Sequence, residues 1–452
     1  LAKLATFLPA KGVRLLGSPL ALFAAAYALS AAVQKGAGFV IIMWLGRVLS
    51  VDNYARLGLL MALQAGLTAM ASAGVVEAVI GLLRDHRLPE ERRDLHRGAN
   101  VMFAALAAVV GMGAAVIFIA AVRNVAWSPV ELVAVIASGL LTAFFYVMSG
   151  LVRLNEDHRV SLMLASLPAL VGFVIGFLAF LWQRTLVAYF AGMAAGLFAA
   201  FLVSLLARPD LFAMPSGTAK ARQLAEFMPS FLAIAGLGWL AGYGNTYIVE
   251  LFFHSSDVAR FSFAYTLASI LQLVSTALNQ TWSPRFFTLA NAQPLDQVER
   301  KSRLYFLLHA AVLGTIGAFL IVVTPVVTGL LGGNLVHYGR AGAATFFLFT
   351  AYAISLPWYH AQNHFLVHGR GGDIMKIVII STLLGLACVA IAIAALGVIG
   401  VYVGFMAQTG ARSVVAVAFA RSRWAISTTL DASLLATALM GAGLAISIAM
   451  AG

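Results

Sequence analysis

The chain of 452 residues is 62% hydrophobic and only 10% charged, with a mean hydropathy of +0.95. That excludes an ordinary soluble domain, which would need far more charge to coat its surface, whereas lipid lets apolar side chains face outward. The net charge of +12 is carried by no exposed basic domain with interleaved aromatics, so no nucleic-acid partner is expected.

A helix needs roughly 20 mainly apolar residues to cross the hydrocarbon core. Such runs fill 20–49, 54–83, 99–122, 130–152, 160–182 and 185–207 in the first half of the chain. In the second half they fill 229–253, 258–282, 304–331, 341–367, 375–396 and 398–420, and a thirteenth covers 430–451. Barrel strands are about 9–11 residues long and strictly alternating, so these runs are helices. The sequence predicts an all-α polytopic membrane protein embedded in the lipid bilayer, with two six-helix bundles at 1–207 and 229–420. A cytoplasmic linker at 208–228 joins them, and 421–452 adds a further transmembrane helix. The stretch 50–58 after span 1 is echoed by 255–262 after span 7. Aligning Arg56 with Arg260 also pairs Leu63 with Leu267 and Leu67 with Leu271. This repeat implies a pseudo-twofold axis along the membrane normal.

Basic residues resist translocation, so the side richer in Lys and Arg is cytoplasmic. With the N-terminus inside, 21 of the 29 Lys and Arg are cytoplasmic. Six lie opposite, and two, Lys35 and Arg412, fall inside spans. Residues 1–19 carry Lys3, Lys11 and Arg14 but no cleavable apolar core, so no signal peptide is expected. Cys388 is the only cysteine, which rules out a disulfide within the chain. The loops are short, leaving no room for a catalytic domain.

Ionisable residues inside spans are costly, about 2.5–3.5 kcal/mol each on insertion scales. Lys35, beside Gln34 near the middle of span 1, either attracts an anionic substrate or pairs with a neighbouring helix. Arg412 in span 12 either lines a substrate path or snorkels toward the cytoplasmic end. Glu77 in span 2 is either an ion-coupling carboxylate or a partner for a cation. Glu250, at the outer end of span 7, reads as interfacial.

Two spans are polar on one side. Span 7 offers Tyr243, Asn245 and Tyr247, and span 10 offers Tyr352, Trp358, Tyr359, His360, Gln362, Asn363 and His364, with Pro357 available to bend it. Aromatic and amide groups suit sugar rings and hydroxyls, and equally suit interhelical hydrogen bonding. His360 and His364 share a helical face, but no Asp, Glu or Cys lies beside them in sequence. No metal and no cofactor is expected.

Three stretches carry a family resemblance. They are Trp44 to Tyr54; Phe227, Met228, Pro229 and Ser230 with Asn245, Phe252, Phe253, Asp257 and Tyr265; and Asn279 to Phe287. Leu396 to Gly400 is a fainter fourth. The chain resembles the polysaccharide transporters of the multidrug/oligosaccharidyl-lipid/polysaccharide exporter superfamily, in particular O-antigen-type flippases. It departs at Ala55, where the family often has glycine, and at Asn245 and Thr246, where an aspartate and arginine are frequent. The resemblance implies alternating-access movement of an undecaprenyl-diphosphate-linked, anionic oligosaccharide across a bacterial cytoplasmic membrane. It also implies a polysaccharide polymerase and glycosyltransferases of the same pathway as partners. Rival readings are a flippase for a lipid-linked peptidoglycan precursor, a cationic drug exporter, and a membrane polysaccharide polymerase or ligase. The last is an enzyme that would need a large outer loop, and none is present, so the chain is expected not to be an enzyme.

Overall fold

The computed structural model describes residues 36, 38–76, 78–79, 89–154, 157–209, 219–226, 228–339 and 342–451. Among them the chain is almost entirely helical and contains no strand. Helix α1 is Gly38–Val48, α2 Val51–Ser72, α3 Pro89–Ala121, α4 Pro129–Leu154, α5 His158–Gln183 and α6 Leu186–Ala207. Then follow α7 Met228–Ala241, α8 Gly244–Phe252, α9 Ser255–Ala292 and α10 Leu295–Leu331. The last five are α11 Gly342–Ile354, α12 Leu356–Val367, α13 Gly371–Leu396, α14 Val398–Arg421 and α15 Leu430–Ala451. Nine described helices are long and apolar enough to cross a membrane. The protein is an all-α polytopic membrane protein.

The described residues fall into two compact units. One is drawn from Leu1–Ile42, Leu67–Ala114 and Ser128–Pro229, the other from Met43–Gly66, Ala115–Trp127 and Ser230–Gly452. The later unit starts one residue after the expected opening of the second bundle, and it also takes in 43–66 and 115–127.

In the first unit, α4 packs on a hairpin of α5 and α6. The Asp157 carboxylate caps α5 by accepting from the Val160 amide, and the Thr185 hydroxyl caps α6 by accepting from Ala188. The hairpin turns at Arg184, which is left-handed at φ 57°. Lipid gives helices no hydrophobic reason to associate, so small residues that let backbones approach do that work. At Gly192 of α6 a Cβ would lie 2.6 Å from the Ala179 Cβ and 2.9 Å from the Ile175 carbonyl oxygen. Polar ties add to this. The Ser161 hydroxyl donates to the Ser149 carbonyl at 2.8 Å and the Ser149 hydroxyl to the Ser161 carbonyl at 3.0 Å, joining α4 to α5.

In the second unit, α13 and α14 form a hairpin, α11 and α12 pack on α14, and α15 packs along α10. The thirteenth run is therefore a helix seated on the bundle. At its Gly443 an added Cβ would meet the Ala318 Cα at 2.7 Å. The turn 49–54 rests on the segment after α10. The Asn334 amide donates to the Leu49 carbonyl at 2.7 Å, and Tyr54 stacks on Tyr338 at 4.9 Å. Gly58 and Ser262, paired by the sequence repeat, face each other, since a Cβ on Gly58 would overlap the Ser262 hydroxyl at 2.0 Å.

The two spans singled out as polar are each broken. Span 7 divides into α7 and α8 around Gly242 and Tyr243, and span 10 divides into α11 and α12 at Ser355, just before Pro357. Proline at the first turn of α12 lacks the amide that would continue the α11 ladder, so this break follows from sequence. In membranes, interrupted helices expose backbone groups only where protein or a lined path satisfies them.

Candidate functional site

The second unit holds two polar groupings, one around Arg412 and one around His360 and His364. Arg412 sits on α14 nine residues before its end at Arg421, about 13 Å at 1.5 Å per residue. Its guanidinium carbon lies 5.9 Å over the Trp358 ring, within cation–π range. The phenols of Tyr359, Tyr352 and Tyr265 stand near it. The aromatic array continues outward. Tyr265 meets Tyr243 at 4.9 Å and Phe405 at 5.8 Å, and Tyr352 meets Phe405 at 6.2 Å. Among the described residues no carboxylate pairs with Arg412. The side chain is half-buried and keeps its charge at any physiological pH. A cation on a wall of phenols and indole can hold an anionic group while the ring faces meet sugar.

Several expected site residues make contacts within the fold. Asn245 is fully buried, and its amide donates to the Ala241 and Gly242 carbonyls at 3.2 and 3.1 Å, filling the break between α7 and α8. The Tyr247 hydroxyl donates to the Leu59 carbonyl of α2 at 2.9 Å, and Trp239 donates to Ala62 at 2.8 Å. Trp358 presents one face to Arg412 while packing among Ala361, Phe365, Ile377 and Ala416. Tyr243 is half-buried and lies nearest to the reading made from sequence. Gln34, Lys35 and Glu77 lie outside the described residues.

Glu250 faces protein at the end of α8. It is fully buried, and one carboxylate oxygen accepts from the backbone amides of Asn124, Val125 and Arg123 at 2.7, 3.1 and 3.3 Å. It thus anchors the loop after α3.

The second grouping overturns the reason given for excluding a metal, that no acidic group lies near the two histidines. Helix α10 brings Glu299 between them. His364 Nε2 lies 2.8 Å from Glu299 Oε1 and His360 Nε2 lies 3.0 Å from Oε2. The Ser427 amide, in the extended segment between α14 and α15, donates to Oε2 at 2.6 Å. Phe286 and Phe306 close over the rings at 4.8 and 5.4 Å, and Trp424 stacks on His364 at 5.8 Å. Asn363, between the histidines, donates to the Asn279 side-chain oxygen at 3.1 Å and accepts from the Ser283 hydroxyl at 2.6 Å. One helix turn further into the bundle, His309 and Ser275 meet at 3.2 Å. Sequence reasoning missed Glu299 because it stands beside Arg300, Lys301 and Arg303 and reads as part of a solvated loop. The available signal was the helical register that carries α10 upstream to Leu295.

Comparison with known proteins follows from this architecture. The model of the family described as Polysaccharide biosynthesis protein matches residues 24–290, more than half of the chain. No curated protein matches the sequence. Among solved structures, the lipid II flippase MurJ in an inward closed conformation is similar with a TM-score of 0.71 at 10% identity, over 92% of this chain and 91% of that one. An inward-facing multidrug resistance MATE family transporter of the MOP superfamily is similar with a TM-score of 0.63 at 15% identity, over 86% and 94%. A MOP superfamily transporter from Pyrococcus furiosus is similar with a TM-score of 0.52 at 13% identity, over 89% and 94%. At these identities the likeness establishes a shared fold.

Proposed function

The chain belongs to the polysaccharide biosynthesis protein family, and we propose that it translocates an undecaprenyl-diphosphate-linked oligosaccharide from the inner to the outer leaflet of a bacterial cytoplasmic membrane by alternating access. On this reading the N-terminus is cytoplasmic, as the distribution of Lys and Arg favours. The cargo is a repeat unit of O-antigen, capsule or exopolysaccharide, made and consumed by glycosyltransferases and a polymerase of the same pathway. The two six-helix bundles expected at 1–207 and 229–420 would be the rocking bodies.

The observation that carries the proposal is Arg412. A guanidinium held well inside a span, with aromatic neighbours and no described carboxylate partner, is costly to fold around and is retained where an anion needs it. A diphosphate supplies that anion, and rings such as Trp358, Tyr352 and Tyr359 suit the sugar. The same cation disfavours the drug-exporter reading, because a cationic cargo would meet repulsion there. A lipid-linked peptidoglycan precursor carries the same diphosphate and stays as the second reading, with the likeness to MurJ in its favour.

The test is reconstitution in proteoliposomes loaded with a fluorescent undecaprenyl-diphosphate oligosaccharide, with leaflet exposure read by quenching. Accelerated exchange across leaflets is expected for the polysaccharide repeat. Export of a soluble cationic dye with no lipid movement would contradict the proposal, and exchange confined to a peptidoglycan precursor would favour the second reading.

A further inference from the structure

We propose that Glu299, His360 and His364 form a binding site for one divalent transition-metal ion of the zinc class. The histidines stand at i and i+4 on α12, so both rings lie on one face, a spacing that suits zinc. Each presents Nε2 to the same carboxylate, His360 to Oε2 and His364 to Oε1, which α10 delivers from 61 residues upstream of His360. The three ligand atoms all lie within 4.8 Å of one another. Zinc takes nitrogen at about 2.0–2.1 Å and carboxylate oxygen at about 2.0–2.2 Å. To admit the ion at those distances, the N to O separations of 2.8 and 3.0 Å widen by about half an ångström while the ligand atoms, within 4.8 Å of one another, converge on it.

The surroundings also fit. His360 is 0% exposed, His364 1% and Glu299 9%, so the ligands are held by packing rather than by water. The Ser427 amide at 2.6 Å orients the carboxylate, as outer partners of metal ligands do. The Ser427 hydroxyl, 3.5 Å from His360 Nε2, is the oxygen placed to complete or orient a fourth position. Nitrogen Nδ1 of each histidine is buried with no hydrogen-bond partner. In the metal-free protein each Nε2 therefore carries the proton it donates to Glu299, and binding a metal through Nε2 moves that proton to the free Nδ1. A purely hydrogen-bonded triad would satisfy the carboxylate equally well, so the experiment must separate the two. The site binds α12, just beyond the span 10 break, to α10 and to the segment before α15. It stands independently of what the protein carries.

The full-length protein, purified in detergent with any affinity tag removed and stripped with a chelator, is titrated with Co2+ and then Zn2+. Visible d–d bands at one Co2+ per chain are expected, bleached by one equivalent of Zn2+. The conservative variants Glu299→Gln and His364→Gln should weaken the affinity about a hundredfold or more, while His254→Gln, at an exposed turn, leaves it unchanged. X-ray absorption at the zinc edge of the wild-type protein should show two imidazoles among low-number nitrogen and oxygen ligands, a readout independent of whether the variants fold. Absence of stoichiometric Co2+ uptake, bands that persist in well-folded variants, or a zinc shell without imidazole would overturn the proposal.

Discussion

The backbone amide of Asn124 donates to the Glu250 carboxylate at 2.7 Å, and the Asn124 side chain returns a second bond to the Glu250 carbonyl at 2.6 Å. Two residues 126 positions apart thus tie the loop after α3 to the end of α8. Hydrogen bonds to charged groups contribute about 1.5–3 kcal/mol, and buried donors left unmatched add their own cost. Glu250→Ala is therefore expected to destabilise the protein by roughly 2–4 kcal/mol, read as a lower thermal midpoint in detergent, with Glu250→Gln intermediate. An unchanged midpoint would show that water replaces the carboxylate.

The hairpin of α5 and α6 depends on close backbone approach at Gly192, where any side chain meets Ala179 and the Ile175 carbonyl. Overpacking typically costs about 1–3 kcal/mol. Gly192→Val should lower the thermal midpoint and the yield of monodisperse protein. Gly441, with open space at its Cβ position, should accept Ala with no such loss.

The ion pair between Arg303 and Asp431 spans 2.6 Å, yet its side chains are 64% and 35% exposed. Exposed pairs contribute about 0–1 kcal/mol. Arg303→Ala should leave the thermal midpoint within experimental scatter at physiological salt, and a large drop would mean that the pair is shielded by lipid headgroups.

The fold was legible wherever one physical signal sufficed. Apolar runs such as 185–207 announce helices because lipid demands that every backbone group be satisfied within the segment, and Pro357 announces the break that opens α12. Long-range partners left no such mark. Glu250 is satisfied by backbone amides, which have no sequence signature, so its position at a span end suggested an interface. Glu299 lies in a basic run, and its histidines follow 61 and 65 residues later, joined only once α10 and α12 pack. Asn245 and Tyr247 were legible as polar, but their acceptors, main-chain carbonyls exposed by the helix break or offered by α2, were not. Arg412 admitted snorkelling or a functional role, and its contact with Trp358 was not readable from sequence because 54 residues separate the two.

The most direct measurement compares lipid-linked oligosaccharide translocation by wild type, Arg412→Ala and Arg412→Lys in proteoliposomes, after matching insertion and thermal midpoint. Loss of one charge-assisted contact of about 1.5–3 kcal/mol should slow Arg412→Ala by roughly ten- to hundredfold. Arg412→Lys should fall between, because it keeps charge but not the planar fork. Equal rates in all three proteins would contradict a cationic substrate contact at Arg412, and no translocation by wild type would contradict the flippase assignment itself.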